Sequence, residues 1–483
     1  MTDPAIDVPR DYNAATALLE GNLAAGRGAK VAVRDGFGAH TYAELAARVE
    51  RTAAALQAVG VEPEQRVLLC LLDTIDFHAC FLGAMRLGAV PVPVNTMLTT
   101  KDFEHMLVDS RARVLVVSDA LVEKVAPAAA RSPHLRRVVV APSPTGGDAA
   151  GLDRLEALVA AAPSSCAPAR TTCDDVAFWL YSSGSTGKPK GAMHLHASLP
   201  RTAALYARGV LGLAEDDVVL SAAKLFFAYG LGNALTFPLS VGATSVLLAD
   251  RPTPHAIMGA LATHQPTVFC GVPTLFASVL ADPKHDRATG SRALRVCTSA
   301  GEALPRHVGE AWRARMGADI LDGIGSTEML HIFLSNRPGD VRYGTTGLPV
   351  PGYDVELRDE RGGPVADGEE GALWVKGPTA CVAYWNERDK SLAAFHGPWT
   401  RTGDTYVRGA DGAYTYAGRS DDMLKVGGIW VSPFEVESAL GAHDAVLEVA
   451  VVGHEDADGL VKPKAFVVLK DAAAASDALA IEL

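Results

Sequence analysis

The chain has 483 residues, of which 48% are hydrophobic and 21% charged; this excludes global disorder and exceeds what one compact core holds. Its net charge of -12, with no basic stripe, argues against a nucleic-acid binder. Any phosphate ligand must therefore be met by locally concentrated cations and backbone N–H groups.

The opening MTDPAIDVPRDYNAATALLE has no basic stretch leading into an apolar run, so it does not read as a signal peptide. No uninterrupted apolar run is long enough to span a bilayer, so no membrane partner is expected. Arg66–Leu72 (RVLLCLL) predicts a buried strand, 75–87 a helix and Val90–Val94 another strand. Val114–Val117, Arg137–Val140, Val218–Leu220, Ser245–Leu248, Thr267–Phe269 and Leu294–Cys297 continue the series. Strands alternating with helices predict an α/β fold of mainly parallel sheets covered by helices. Residues 141–151 and 161–169 are rich in Pro, Gly, Ser and Ala and read as loops. After Tyr343 the texture changes, and Tyr353–Asp359 and Gly371–Lys376 predict strands of a smaller β-rich lobe. The seven cysteines (Cys70, Cys80, Cys166, Cys173, Cys270, Cys297, Cys381) form no CxxC and no zinc spacing. They read as buried reduced thiols, which fits a cytoplasmic location.

Residues 181–191, YSSGSTGKPKG, hold the sharpest local signal. Glycines let the backbone approach a ligand, hydroxyls donate hydrogen bonds and lysines supply charge. The spacing is not that of a Walker A loop, because only two residues separate Gly184 from Gly187-Lys188. Pro189 disfavours immediate entry into a helix, and the run Val176–Leu180 before the loop reads as a strand that aims it.

The loop resembles the signature of the adenylate-forming superfamily, which holds acyl- and aryl-CoA ligases, firefly luciferase and the adenylation domains of peptide synthetases. Further segments match in the family's order: SAGEALP at 299–305, DGIGSTE at 322–328, TRTGD at 400–404 and GRSDDMLKVGG at 418–428. The resemblance implies a large multi-lobed N-terminal adenylation domain over residues 1–420, with two α/β-sheet subdomains and the β-rich lobe. A small, partial α+β C-terminal domain would follow over 421–483. It implies ATP, Mg²⁺ and coenzyme A as cofactor and cosubstrates, an aromatic acid as substrate, no nucleic acid, and it allows a homodimer.

The same resemblance implies roles for residues. Ser182, Ser183, Ser185, Thr186, Lys188 and Lys190 would hold the ATP phosphates. Ala300, Gly301 and Glu302, with Asp322, Gly323 and Ile324, would line the adenine site; Glu302 alternatively reads as a helix N-terminal acid. Thr327 would touch the α-phosphate and Glu328 would hold Mg²⁺, since a carboxylate beside phosphates needs a cation between them. Asp404 would accept from the ribose hydroxyls and Arg419 would lie near the ribose or phosphate. Asp421 matches the hinge, and Lys425, Gly427 and Gly428 match a turn lining the pantetheine tunnel. The expected catalytic set is Thr186, Lys188, Lys190, Thr327 and Glu328.

One departure stands out. The family's adenylation lysine lies in a Pro-x-Thr-x-x-Gly-Lys-like segment, whereas the last lysines here are Lys462, Lys464 and Lys470 without that context. The sequence therefore reads as cut short, with an impaired first half-reaction expected of it.

Residues 225–232, LFFAYGLG, fall where the family sets an aromatic segment against the acyl pocket. Phe226, Phe227 and Tyr229 would form flat walls, with Ala228 and Gly230 leaving room for a ring. Ordinary core packing is the competing reading. Met329–Phe333 (MLHIF) would form the far wall, with Gly325, His331 and Ile332 among the substrate-binding residues, where His331 reads either as a hydrogen-bond partner of the substrate or as a structural histidine. The stretch KLFFAYGLGN at 224–233 most resembles the benzoate:CoA ligase branch. A medium-chain acyl-CoA ligase and a carrier-loading adenylation enzyme are the alternatives.

Overall fold

The computed structural model describes residues 6–182, 188–419, 423–441, 443–471 and 475–483. Five parallel strands form a first sheet in the order Val90–Pro93, Arg66–Cys70, Val114–Ser118, Arg137–Ala141, Asp153–Arg154. A second, nine-stranded sheet has a parallel centre built from Val31–Asp35, Thr244–Val246, Val218–Ser221, Val268–Gly271, Val296–Ser299 and Asp319–Gly325. Antiparallel strands finish both its edges: Gly38–Thr41 on one side, Ile332–Ser335 and Leu348–Pro349 on the other.

The expected strands are present to within a few residues, and the 75–87 helix is observed as Ile75–Arg86. That helix is buried along its whole length, which explains its apolar character on every side. Its polar members are met by partners on neighbouring segments. Arg48 Nε donates to Asp76 at 2.7 Å, and Arg86 donates to Glu50 at 2.9 Å and Glu20 at 3.2 Å. His78 Nε2–H donates to the Ala234 carbonyl at 3.1 Å. Unpaired, such groups would cost several kcal/mol each. The neighbouring helix Tyr42–Ala58 starts on a reciprocal capping box between Thr41 and Glu44.

A β-rich lobe follows, with Asp354–Arg358, Glu370–Lys376, Trp399–Arg408 and Tyr414–Arg419 joined antiparallel. The C-terminal part contains the hairpins 424–431 and 446–469 and the helices Pro433–Gly441 and Asp477–Glu482, an α+β composition. Among the described residues no helix is long and apolar enough to cross a membrane. All seven cysteines are free and buried.

Candidate active site

The residues at either end of the phosphate motif belong to two paired strands. Strand Val176–Ser182 pairs antiparallel with Lys190–Leu195, and Ser182 faces Lys190 across the base of the loop. Pro189 thus leads into a strand and not a helix, as its ring and its effect on Lys188 require. His105 Nε2–H donates to the Pro189 carbonyl at 3.3 Å and ties the loop to helix Thr100–Ser110. Ser183, Ser185 and Thr186 lie outside the described residues. Lys188 is exposed and Lys190 half-buried.

Opposite the hairpin is the turn between strands Asp319–Gly325 and Ile332–Ser335. Glu328 projects from it. Ser182 Oγ donates to Glu328 Oε1 at 3.1 Å and Tyr384 Oη donates to the same oxygen at 2.7 Å. Burial raises the proton affinity of this carboxyl, but the Lys190 charge and the two hydroxyl donors outweigh it and hold its pKa below the ordinary glutamate value. Glu328 therefore stays ionised, with Oε2 not engaged by those donors. An ionised acid beside Ser182 and Lys190, the residues at either end of the phosphate motif, fits a hard divalent cation.

The backbone of the turn is pinned from behind. His194, fully buried on strand Lys190–Leu195, donates its Nε2–H to the Thr327 carbonyl at 2.8 Å. A carbonyl only accepts, so Nε2 carries the proton, and burial pushes this histidine down to about 4 and keeps it neutral. Leu330, three residues beyond Thr327, holds φ at +69° although it is a bulky buried residue. That backbone state costs on the order of 1–3 kcal/mol and is found where a turn is over-determined by its surroundings.

The carboxyl ends of two neighbouring parallel strands, Val296–Ser299 and Asp319–Gly325, bring 300–302 next to 322–324. Ligands of open α/β sheets bind at such ends. Asp322 is 5% exposed and its Oδ1 has no partner among the described residues; burial raises its pKa well above the ordinary aspartate value. Gly301 has φ +101°, and a Cβ there would come within 3.0 Å of Gly428 Cα. Glu302 Oε2 accepts from Thr274 Oγ1 at 2.9 Å and from its amide at 3.3 Å, at the start of helix Pro273–Leu280. Its helix-terminal role is thus realised on a neighbouring helix, while Oε1 accepts from the Gly427 amide. That contact brings the 424–431 hairpin, with Lys425, Gly427 and Gly428, onto the cleft. Asp404 is 4% exposed and accepts from Arg419 Nη1 at 3.1 Å, the two facing each other in register. Asp421 lies outside the described residues.

On the other side of the 326–331 turn the chemistry changes. His331, 2% exposed, lies among the rings of Phe237 at 4.4 Å, Tyr206 at 5.2 Å and Tyr229 at 5.6 Å. Burial pushes it down to about 3, so it is neutral. Its Nε2–H donates to the Tyr229 carbonyl at 3.3 Å, which leaves Nδ1 as an acceptor without a partner among the described residues. Tyr229 is held by its hydroxyl at the Thr298 carbonyl, 3.0 Å away. The Phe226 and Phe227 rings lie 4.6 Å apart, tilted by 57°. Gly230 and Gly325 permit close approach: a Cβ would fall 2.0 Å from the Lys224 carbonyl oxygen at Gly230 and 2.6 Å from the His331 backbone at Gly325. Ala228 and Ile332 flank these groups, Ile332 fully within the core.

The sequence reading did not find Tyr384, His194, Tyr206 or Phe237. It also missed the buried Asp73, which accepts from the Leu225 amide at 3.3 Å and faces Lys224 at 3.9 Å, gripping the start of the aromatic segment. No local motif marks these residues; each matters only through a partner far away in the chain.

Comparison with known proteins supplies a further set of observations. The profile of AMP-binding enzymes matches residues 22–385, and that of the AMP-binding enzyme C-terminal domain matches 435–483. The chain is 57% identical to a benzoate–CoA ligase of Thauera aromatica over 484 aligned residues, covering 100% of this chain and 90% of that protein. It is 52% identical to a 4-hydroxybenzoate–CoA/benzoate–CoA ligase of Rhodopseudomonas palustris, covering 95% of this chain and 84% of the relative. Among solved structures, a benzoate CoA ligase from Burkholderia xenovorans LB400 superimposes with a TM-score of 0.81 at 54% identity, over 98% of this chain and 92% of that one. The anthranilate CoA ligase AuaEII in complex with anthranoyl-AMP gives a TM-score of 0.84 at 41% identity, over 99% and 90% of the two chains.

Proposed function

Because this chain belongs to the family of AMP-binding enzymes, we propose that it joins an aromatic carboxylic acid, benzoate first, to coenzyme A with ATP. The products are aroyl-CoA, AMP and diphosphate, formed through an aroyl-AMP intermediate. The observation that carries this reading is the 326–331 turn, which sets an ionised Glu328 on one side and a neutral, ring-enclosed His331 on the other. Relatives that act on benzoate, at 57% and 52% identity, support the choice of acid.

In this reading the acid's carboxylate oxygen attacks the α-phosphorus of ATP and diphosphate leaves. Lys188, Lys190, Ser182, Ser183, Ser185, Thr186 and Thr327 bind and orient the phosphates, which is how phosphoryl transfer is mostly accelerated. Glu328 would hold magnesium through Oε2; the bound ion supplies charge neutralisation on the phosphate oxygens. Asp404 and Arg419 would meet the ribose, while Ala300, Gly301, Glu302, Asp322, Gly323 and Ile324 would enclose the adenine. In the second half-reaction the CoA thiol attacks the acyl carbonyl and AMP leaves. Lys425, Gly427 and Gly428 would line the thiol arm's path, and Asp421 would be the hinge between an N-terminal domain over 1–420 and a C-terminal one over 421–483.

The aromatic ring would lie among Phe226, Phe227, Ala228, Tyr229, Gly230, Gly325, His331 and Ile332. An apolar wall with one neutral hydrogen-bonding group accepts benzoate and discriminates weakly against small ring substituents. The test is a panel of aroyl- and acyl-adenylates supplied with CoA, together with the free acids supplied with ATP, magnesium and CoA. Benzoyl-CoA is expected to form fastest in both arms. Preference for a medium-chain fatty acid would overturn the aromatic assignment.

A further inference from the structure

Tyr384 touches both Glu328 and Lys190, from a segment tied to the backbone around each. Its segment runs beside strand Lys190–Leu195. Val382 N–H donates to the Met193 carbonyl at 2.9 Å, Met193 N–H to Ala383 at 3.1 Å and Trp385 N–H to Gly191 at 2.8 Å. Cys381 N–H donates to the carbonyl of Glu328 itself at 2.7 Å. The segment is thus fastened to the strand that bears Lys190 and to the turn that bears Glu328. The Tyr384 ring packs on Phe395 at 5.2 Å, and its amide donates to Ser391 Oγ at 3.0 Å. From this anchored position the hydroxyl reaches Glu328 Oε1 at 2.7 Å and the ring face receives Lys190 Nζ at 4.3 Å.

We propose that Tyr384 is a positioning residue for adenylate formation, holding Glu328 and Lys190 at a fixed separation so that magnesium and the ATP phosphates bind as one unit. This rests on the reading of Glu328 as the metal ligand given above. The physical reason is competition. An ionised glutamate and a lysine in one half-buried cleft attract each other, and a direct ion pair would occupy both groups. The tyrosine offers each a separate contact. A phenolic O–H donated to a carboxylate is among the stronger hydrogen bonds, and a cation over a ring face keeps most of its donors free. With Oε1 receiving both Tyr384 and Ser182, Oε2 is the oxygen those donors would leave for a cation.

The experiment is titration calorimetry on the full chain, with ATP plus magnesium, ATP plus EDTA, and AMP without metal. Tyr384→Phe keeps the ring and removes the hydroxyl. It is expected to weaken magnesium–ATP binding by about tenfold, while metal-free AMP binding stays within about twofold of wild type. Tyr384→Leu also removes the ring and is expected to weaken metal-free ATP binding by about a further threefold. Manganese counted by electron paramagnetic resonance in the ATP complex gives a second readout of the metal. Wild-type magnesium–ATP affinity in Tyr384→Phe would overturn the inference. So would a parallel loss of AMP binding, which marks a purely structural role. Glu328→Gln separates the two layers: if it abolishes magnesium dependence while Tyr384→Phe keeps it, the inference on Tyr384 falls alone. If Glu328→Gln itself keeps the wild-type dependence, the metal-ligand reading fails and takes the inference with it.

Discussion

The two faces of the 326–331 turn solve opposite electrostatic problems within a few residues. On the Glu328 side, charge is kept and balanced: a carboxylate held ionised by Lys190, Tyr384 and Ser182. On the His331 side, charge is suppressed: an imidazole pushed down to about 3 among Tyr206, Tyr229 and Phe237. Burial disfavours charge on both groups, and the Lys190 charge with two hydroxyl donors outweighs it only at Glu328. Leu330, at φ +69°, turns the chain from one environment into the other, which a regular strand would do only by alternating sides.

The largest expected effect tests the charge-suppressing side. His331 is neutral in the fold and titrates near 6.5 when unfolded, so the unfolded chain binds the extra proton between those values. Its contribution to stability is present above about 6.5 and is lost as pH falls toward about 3. The full shift corresponds to on the order of 5 kcal/mol. His331→Asn cannot take up that proton. Its thermal midpoint is expected to lie below wild type at neutral pH, and the gap is expected to close or invert by pH 4. A gap independent of pH would show that His331 is not held neutral.

Gly232→Ala perturbs the same side without touching charge. A Cβ there would lie 2.4 Å from His331 Cδ2, and the ring is boxed in by its aromatic neighbours. Overpacking of this kind costs roughly 1–3 kcal/mol. The Michaelis constant for the aromatic acid should rise by about tenfold, while AMP affinity stays at the wild-type value. Equal loss of both would mean that the two faces are mechanically coupled and the contrast between them is too sharp.

How much of this was open to reading from the sequence follows the same division. Strands such as Arg66–Cys70 and Val114–Ser118 were predicted nearly to the residue, because a short apolar run bounded by turn formers carries its own boundaries. The phosphate motif was legible from its own composition, and Glu328 and Asp404 became legible only through the resemblance of DGIGSTE and TRTGD to the family's ordered motifs, since alone a Glu after Ser-Thr reads as a cap and a Gly-Asp as a turn. The support behind them was not. Tyr384 is one aromatic in CVAYWN, and its meaning requires residues 182, 190 and 328 to meet it in space. His194 occupies an ordinary strand position, and its contact with Thr327 lies 133 residues away. The grip of Asp73 on Leu225 spans 152 residues. Periodicity and propensity are local, and these contacts are set by how the two sheets pack.

The smallest expected effect falls on the charge-keeping side and asks how redundant it is. Ser182 and Tyr384 both donate to Glu328 Oε1, at 3.1 Å and 2.7 Å. The tyrosine bond is the shorter, and its donor is fastened through backbone contacts at 381–385. Ser182 is the last residue of its strand before the loop, so its hydroxyl is the less firmly held of the two. Ser182→Ala should therefore leave the carboxylate oriented by Tyr384 and cost about 1 kcal/mol, or roughly fivefold in magnesium–ATP affinity. The double variant with Tyr384→Phe should lose more than the product of the two single effects, because the first deletion leaves a donor in place and the second leaves none. A strictly multiplicative loss would mean that the two hydroxyls act on ATP separately. In that case the oriented carboxylate would not be what distinguishes this face of the turn from the one that holds His331.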